Sequence, residues 1–81
     1  MKVRCRLFAR YAELAGLEEV EIELPGSATV ADAVSRVRAM LRGGELIPKH
    51  TLVAVNHEHS PMDQVLHDGD ELALLPPLAG G

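Results

Sequence analysis

The last six residues of the sequence combine a stiff backbone, small side chains and a carboxylate: Pro76, Pro77, Leu78, Ala79, Gly80 and Gly81. The two prolines favour an extended polyproline II conformation, and the two glycines carry no side chain that would block a narrow channel. At about 3.3 Å per residue, the segment from Leu75 to Gly81 spans ~20 Å. We therefore expect residues 76–81 to be a flexible extended tail that presents the carboxylate of Gly81 to the active site of another protein. The alternative is an inert terminus, since chain ends are usually poorly ordered.

Cys5 is the single cysteine of the sequence. A nucleophilic thiol needs a nearby base and an electropositive, partly exposed setting. Cys5 alternates with Val3 and Leu7, however, so the three side chains share one face of a strand. We expect Cys5 to be a small apolar core residue. A lone cysteine also excludes a disulfide within the chain and a zinc site built from several thiolates.

The histidines and acidic residues lack the spacing of a metal site. His57 and His59 supply two ligands where a metal site needs three or four, and we expect both to be solvated turn residues. Four acidic residues lie close together without the spacing of a calcium loop: Asp63, Asp68, Asp70 and Glu71. The sequence thus predicts no metal site, no cofactor bound by this chain and no catalytic site of its own.

Composition excludes several classes of function. Twelve acidic and eight basic residues among 81 give a formal charge of −4, whereas a nucleic-acid-binding domain needs a basic surface. No apolar run approaches the ~20 residues that span a bilayer, and the amino terminus has a strand pattern and not that of a signal peptide. We expect a cytoplasmic protein whose partners include neither nucleic acid nor membrane.

Hydrophobic periodicity predicts the elements that position the tail. Residues 2–7 and 18–24 alternate as two strands, the first with a basic and the second with an acidic outer face. A short helical turn over residues 9–15 ends at Gly16. Thr29 and Asp32 begin the main helix, and we expect Gly43 and Gly44 to end it. Residues 51–55 and 71–75 are the third and last strands, with a short edge strand between them.

This order of elements predicts an α+β architecture. The economical solution is a mixed sheet of four or five strands packed on one main helix. We expect a β-grasp (ubiquitin-like) domain over residues 1–75, followed by the tail at residues 76–81. Phe8 and Leu75 are out of phase with the core side of their strands, and they form a candidate outward patch for docking. The alternative is that both pack at strand ends or against the short helical turn.

Three parts of the sequence resemble one known family. They are LFARYAELAG at residues 7–16, Val55-Asn56, and the ending DGDELALLPPLAGG at residues 68–81. Together they resemble the molybdopterin synthase small subunit, a ubiquitin-like sulfur carrier. The resemblance covers the whole length, and the combination of opening and ending is more specific than the final Gly-Gly, which other carriers and modifiers share.

The resemblance implies a mechanism in which the chain is a substrate and a carrier. An adenylyltransferase similar to ubiquitin-activating enzymes would use ATP to adenylate Gly81, and a sulfurtransferase would convert the adenylate to a thiocarboxylate. The tail from Pro76 to Gly80 would enter the large synthase subunit, which transfers sulfur to cyclic pyranopterin monophosphate in an assembly of two small and two large subunits. The resemblance also implies that Phe8 and Leu75 contact the partner, whereas His59 stands where the family usually has an apolar docking residue.

Three alternatives remain open at this point. The chain could carry sulfur for thiamine, cysteine or tRNA thiolation instead. It could be a ubiquitin-like modifier that is conjugated to lysines through Gly81. It could also be an interaction domain with an inert tail, in which case adding a residue after Gly81 would leave function intact.

Overall fold

The computed structural model describes residues 1–77. Five strands and two helices follow one another along the chain: β1 (Lys2–Leu7), α1 (Arg10–Ala15), β2 (Glu19–Glu23), α2 (Val30–Met40), β3 (Leu52–Val55), β4 (Glu58–His59) and β5 (Glu71–Leu75). A short 3₁₀ helix (Gly44–Leu46) lies between α2 and β3. The predicted tail therefore begins in the described part with Pro76 and Pro77, while Leu78, Ala79, Gly80 and Gly81 lie outside the described residues.

The strands form one mixed sheet in the order β2-β1-β5-β3-β4. The two central strands, β1 and β5, are parallel, and the other neighbouring pairs are antiparallel. The predicted β-grasp fold is confirmed, with α2 packed on one face of a five-stranded sheet. The fourth strand has two residues and lies at the edge, which agrees with the prediction of a short edge strand.

The core lies between this sheet face and α2. The inward residues of β1 alternate with exposed ones, as predicted, and Cys5 is fully buried. Three valines on one side of α2 are buried: Val30, Val34 and Val37. The buried apolar side chains form a single cluster within the described residues, so one core holds the sheet and the helix together.

The outer faces of β1 and β2 carry opposite charges, as their sequences predict. Arg4 and Glu19 form an ion pair with 2.7 Å between Nε and Oε1, and Lys2 and Glu21 approach within 3.9 Å. Both pairs are exposed, so each contributes a few tenths of a kcal/mol at most. They favour this register without being the source of the fold's stability.

Helix α2 begins as predicted but ends earlier. The Thr29 side chain accepts from the Asp32 amide and the Asp32 carboxylate accepts from the Thr29 amide, which completes a capping box. At the other end, Leu41 is already extended, so the expectation that Gly43 and Gly44 end the helix is wrong. Gly44 is instead needed for close packing, because a Cβ there would lie 2.4 Å from the carbonyl oxygen of Arg38.

Ala9 occupies a backbone conformation that suits glycine. Its φ of 49° and ψ of −123° place it at the second position of a tight turn between β1 and α1, closed by a 3.0 Å hydrogen bond from the Tyr11 amide to the Phe8 carbonyl. Such a turn has positive φ at this position, which an L side chain adopts only with strain. The turn between Phe8 and Tyr11 therefore stores strain.

The variant Ala9→Gly should increase the free energy of unfolding by about 1 kcal/mol, because relief of strain exceeds the added entropy of the unfolded chain. Urea denaturation followed by circular dichroism measures this change. Ala39→Gly provides the control, since Ala39 is exposed within α2 and glycine should cost up to about 1 kcal/mol there. A loss of stability in both variants would show that Ala9 is not strained.

Candidate functional site

The carboxyl ends of β1 and β5 lie side by side because these strands are parallel. Leu7 pairs with Leu74, so the next residue on each strand, Phe8 and Leu75, continues along the same end of the sheet. Phe8 is 37% exposed, and the Arg6 guanidinium lies 5.4 Å from the centre of its ring. Both candidate docking residues are therefore on the outer face, on the side of the sheet away from α2.

Leu52 extends this apolar surface, although it is not among the docking residues predicted from the sequence. It pairs with Leu75 across β3 and β5 and is 48% exposed. Ala54 and Ala73 form the next half-buried pair on the same face. The alternation of the strand could have predicted this position, because Val53 and Val55 point inward and Leu52 then points outward. We call these five residues the outer apolar patch: Phe8, Leu52, Ala54, Ala73 and Leu75.

His59 borders the patch on its β4 side. It pairs with Ala54 and is exposed. A histidine is more polar than the apolar residue that the resemblance implies at this position. The patch of this chain is therefore apolar in its centre, with a titratable side chain at its β4 edge.

An apolar groove of about 800 Å³ opens next to the patch, where the tail begins at Pro76 and Pro77. It is lined by Ala9, Arg10, Tyr11, Leu46, Pro48, Leu52, Leu75, Pro76 and Pro77. The loop that supplies Leu46 and Pro48 is held in place because the Arg38 Nε donates to the Ile47 carbonyl at 2.7 Å and Ile47 is buried. Leu46 itself is 57% exposed, so the groove adds to the apolar surface beside the tail.

Two buried hydroxyl groups form a short network that ends on the backbone where the tail begins. The Tyr11 and Thr51 hydroxyl oxygens lie 2.7 Å apart. The Thr51 hydroxyl donates to the Leu75 carbonyl oxygen at 3.0 Å. The last residue of β5 is thus joined to α1 through a side-chain hydrogen bond network that the sequence analysis did not predict.

The acidic residues near the last turn have structural partners. The Asp68 carboxylate accepts from the Lys2 amide at 2.7 Å, and the Asp70 carboxylate accepts from the Asn56 side chain and the His67 amide. These bonds fix the turn before β5. No group of three or more metal-ligating side chains occurs among residues 1–77. Within the same residues, neither helix has the length and apolar character required to cross a membrane.

Cys5 is fully buried, as the alternation predicted. Desolvation by burial raises the pKa of its thiol from the ordinary value of 9.0 to about 12. The thiol is therefore protonated throughout the neutral range, and a protonated thiol is a poor nucleophile. The prediction that Cys5 is a core residue is confirmed.

The sequence profile of the ThiS family matches residues 5–81. The chain belongs to this family. It is 35% identical to a molybdopterin synthase sulfur carrier subunit from Chlamydomonas reinhardtii, with the whole of both chains covered. It is 38% identical to small archaeal modifier protein 1 from Haloferax volcanii, covering 94% of this chain and 97% of that protein.

The fold agrees with this membership. The crystal structure of SAMP1 from Haloferax volcanii superposes with a TM-score of 0.89 at 32% identity over the whole of both chains. The family match and the 35% identity to the Chlamydomonas reinhardtii subunit confirm the resemblance to molybdopterin synthase small subunits that the sequence indicates. Fold and family are those of the ubiquitin-like sulfur carriers.

The buried thiol should make the stability of the protein decrease at high pH. The folded state keeps the proton of Cys5 up to a pH near 12, whereas the unfolded state loses it above its ordinary pKa of 9.0. The contribution of the Cys5 thiol to the free energy of unfolding is fully present below pH 9.0 and is lost as the pH rises towards 12. At about pH 10.5 the unfolding free energy should have fallen by about 2 kcal/mol on this account.

Urea denaturation at about pH 8 and about pH 10.5 tests this, with Cys5→Ala as the control that lacks the titrating group. The decrease between the two pH values should be larger in the wild type than in the variant. An equal decrease in both proteins would show that the thiol is not protected from ionisation.

Proposed function

We propose that this chain is the sulfur carrier subunit of a molybdopterin synthase, and that Gly81 is its reactive residue. The observation that carries the proposal is full-length similarity at 35% identity to a sulfur carrier subunit of that enzyme, in a family match that extends through Gly81. The outer apolar patch and the groove, both at the root of the tail, support it, because they provide a docking surface beside the reactive end.

The first step is activation of the Gly81 carboxylate. A carboxylate is a poor electrophile, so a carboxylate oxygen attacks the α-phosphorus of ATP and pyrophosphate leaves. The product is an acyl adenylate, in which AMP is the leaving group at the Gly81 carbonyl carbon. Glycine suits this position because no side chain shields the carbonyl carbon from attack. ATP is bound by the activating adenylyltransferase and not by this chain.

The second step replaces oxygen by sulfur. The terminal sulfur of a persulfide on a sulfurtransferase attacks the acyl carbon, and AMP departs. A thiol then attacks the sulfur of the persulfide cysteine in the acyl disulfide. The S–S bond breaks, a new disulfide forms, and the thiocarboxylate remains on Gly81. The carrier delivers this sulfur to cyclic pyranopterin monophosphate in the active site of the large synthase subunit.

The partners supply the catalytic groups in this scheme. The described residues provide a buried, protonated thiol at Cys5 and acidic side chains that are bound within a turn. The contribution of this chain is to dock and to present its tail. Phe8, Leu52 and Leu75 contact the partner through the outer apolar patch, and Pro76, Pro77, Leu78 and Ala79 enter its channel ahead of Gly80 and Gly81. The assembly contains two carriers and two large subunits.

A second candidate function is conjugation to other proteins. The observation that favours it is 38% identity to small archaeal modifier protein 1 over nearly the whole chain. The same activated Gly81 would then be attacked by a lysine amine and not by a persulfide, giving an isopeptide bond. Sulfur carriage for thiamine or tRNA thiolation shares the thiocarboxylate and differs only in the acceptor.

The proposal predicts a mass change at one residue. Incubation of the purified chain with ATP and a sulfur source in a lysate of its own cells should replace one oxygen atom by sulfur, and fragmentation should map the change to Gly81. A variant with one alanine added after Gly81 is the control, since it should fold normally and remain unmodified. An unmodified wild type in a lysate that converts a known carrier would refute sulfur carriage.

The acceptor separates the alternatives. Addition of the purified large subunit and cyclic pyranopterin monophosphate should consume the thiocarboxylate and yield molybdopterin. A thiocarboxylate that persists under these conditions would point to another sulfur pathway. Isopeptide adducts between Gly81 and lysines, formed without a thiocarboxylate, would favour the modifier function instead.

Docking through the outer apolar patch predicts a second measurable effect. Phe8→Ala and Leu52→Ala should each weaken binding to the large subunit by about 1 kcal/mol or more, equal to about fivefold in Kd, because both truncate exposed apolar side chains in the patch. Titration calorimetry with the purified subunit measures this.

Val65→Ala is the matched control for the docking measurement. Val65 is 49% exposed, close to the 48% of Leu52, but it pairs with Thr29 at the start of α2, away from the patch. Its truncation should leave affinity unchanged. If all three variants lose affinity equally, or none does, the outer apolar patch is not the docking surface.

A further inference from the structure

The hydrogen bond network at the root of the tail has a defined direction. The Thr51 hydroxyl donates to the Leu75 carbonyl, which can only accept. A hydroxyl has one proton to donate, so the 2.7 Å contact between Tyr11 and Thr51 must have Tyr11 as its donor. Tyr11 is therefore the donor to Thr51, and Thr51 is the donor to Leu75. Each bond polarises the next in the low dielectric of the interior.

The Leu75 carbonyl is the last backbone acceptor before two residues that cannot donate. Pro76 and Pro77 have no N–H, so they cannot continue the sheet by donating to a neighbouring strand. The Leu75 carbonyl belongs to the rigid, planar peptide unit that joins Leu75 to Pro76. A hydrogen bond that fixes this oxygen therefore fixes the plane from which the tail leaves the sheet.

The network connects the sheet to α1, because Thr51 directly precedes β3 and Leu75, which also pairs with Leu52, ends β5. Tyr11 is 2% exposed and lies in α1, which follows the strained turn at Ala9, and Thr51 is 5% exposed. Leu75 itself lies in the outer apolar patch. The network thus connects the start of the tail to two buried residues that lie next to the proposed docking surface.

We propose that Tyr11 and Thr51 are positioning residues for transfer at Gly81. They fix the angle at which the tail leaves the domain relative to the outer apolar patch. A partner that holds the patch then meets the first residues of the tail, Pro76 and Pro77, at a fixed angle, which increases the fraction of docked complexes that can react. The inference rests on the proposed function, because it assigns these residues a role in the carrier reaction.

Three variants separate this role from a purely structural one. Tyr11→Phe removes the hydroxyl and keeps the ring, Thr51→Val replaces the hydroxyl by a methyl group of similar size, and Thr51→Ser keeps the hydroxyl. The rate of molybdopterin formation by the purified large subunit from cyclic pyranopterin monophosphate is measured at increasing concentrations of carrier that bears the thiocarboxylate. All variants are compared at a temperature where circular dichroism shows them folded.

Tyr11→Phe and Thr51→Val should lower the maximal rate about fivefold or more, while the half-saturating carrier concentration stays unchanged. Thr51→Ser should react like the wild type. Leu52→Ala, which alters docking, should show the opposite pattern, with a raised half-saturating concentration. A purely structural role would lower the thermal midpoint of Tyr11→Phe and Thr51→Val and leave both kinetic parameters unchanged, which would overturn the inference.

A spectroscopic measurement tests the network without any activity. Because Tyr11 acts on Leu75 through Thr51, Tyr11→Phe should shift the ¹³C resonance of the Leu75 carbonyl in the same direction as Thr51→Val, and by less. An unchanged resonance in Tyr11→Phe would overturn the relay. A wild type that gains no sulfur would refute the proposed function and the inference together, whereas a modified wild type with equally fast variants would refute the inference alone.

Discussion

The parallel pairing of β1 with β5 is the constraint on which the rest of the molecule depends. These strands are the first and the last of the chain, and they lie together in the centre of the sheet. Because they run in the same direction, the turn at Phe8 that follows β1 lies at the same end of the sheet as the start of the tail after β5. An antiparallel pairing would place Phe8 and the tail at opposite ends of the sheet. Parallel strands need a long connection, which β2, α2, β3 and β4 supply.

The same register also determines both faces of the central strands. Cys5, Leu7, Leu72 and Leu74 are buried on the inner face, and their neighbours along the chain alternate to the outer face. A slip of one residue would exchange the two faces and expose the core. The positions of the patch residues are therefore a consequence of core packing. The outer apolar patch is therefore kept in place by the packing of the core on the opposite face of the same strands.

Local patterns predicted most of the fold, and non-local contacts account for what they missed. The faces of β1, the cap at Thr29 and the turn at Gly16 depend on residues close in sequence, and each was predictable. The end of α2 was not, because Gly44 serves a close approach to Arg38 and not the termination of the helix. The hydroxyl network joins residues separated by 40 and 24 positions, which no periodicity reveals.

The burial of Cys5 has a chemical consequence for a carrier of this kind. In the proposed carrier reaction the acyl adenylate at Gly81 is an electrophile, and a thiolate of the same protein would compete with the persulfide for it. Burial raises the pKa of the Cys5 thiol to about 12, so thiolate is scarce at neutral pH and what exists lies beneath the sheet. The core that gives the domain its stability thus also keeps the Cys5 thiol away from the carboxyl end that the proposed function activates. An exposed cysteine on the outer face would ionise more readily, and its thiolate would accept the acyl group from the adenylate of another copy of the chain.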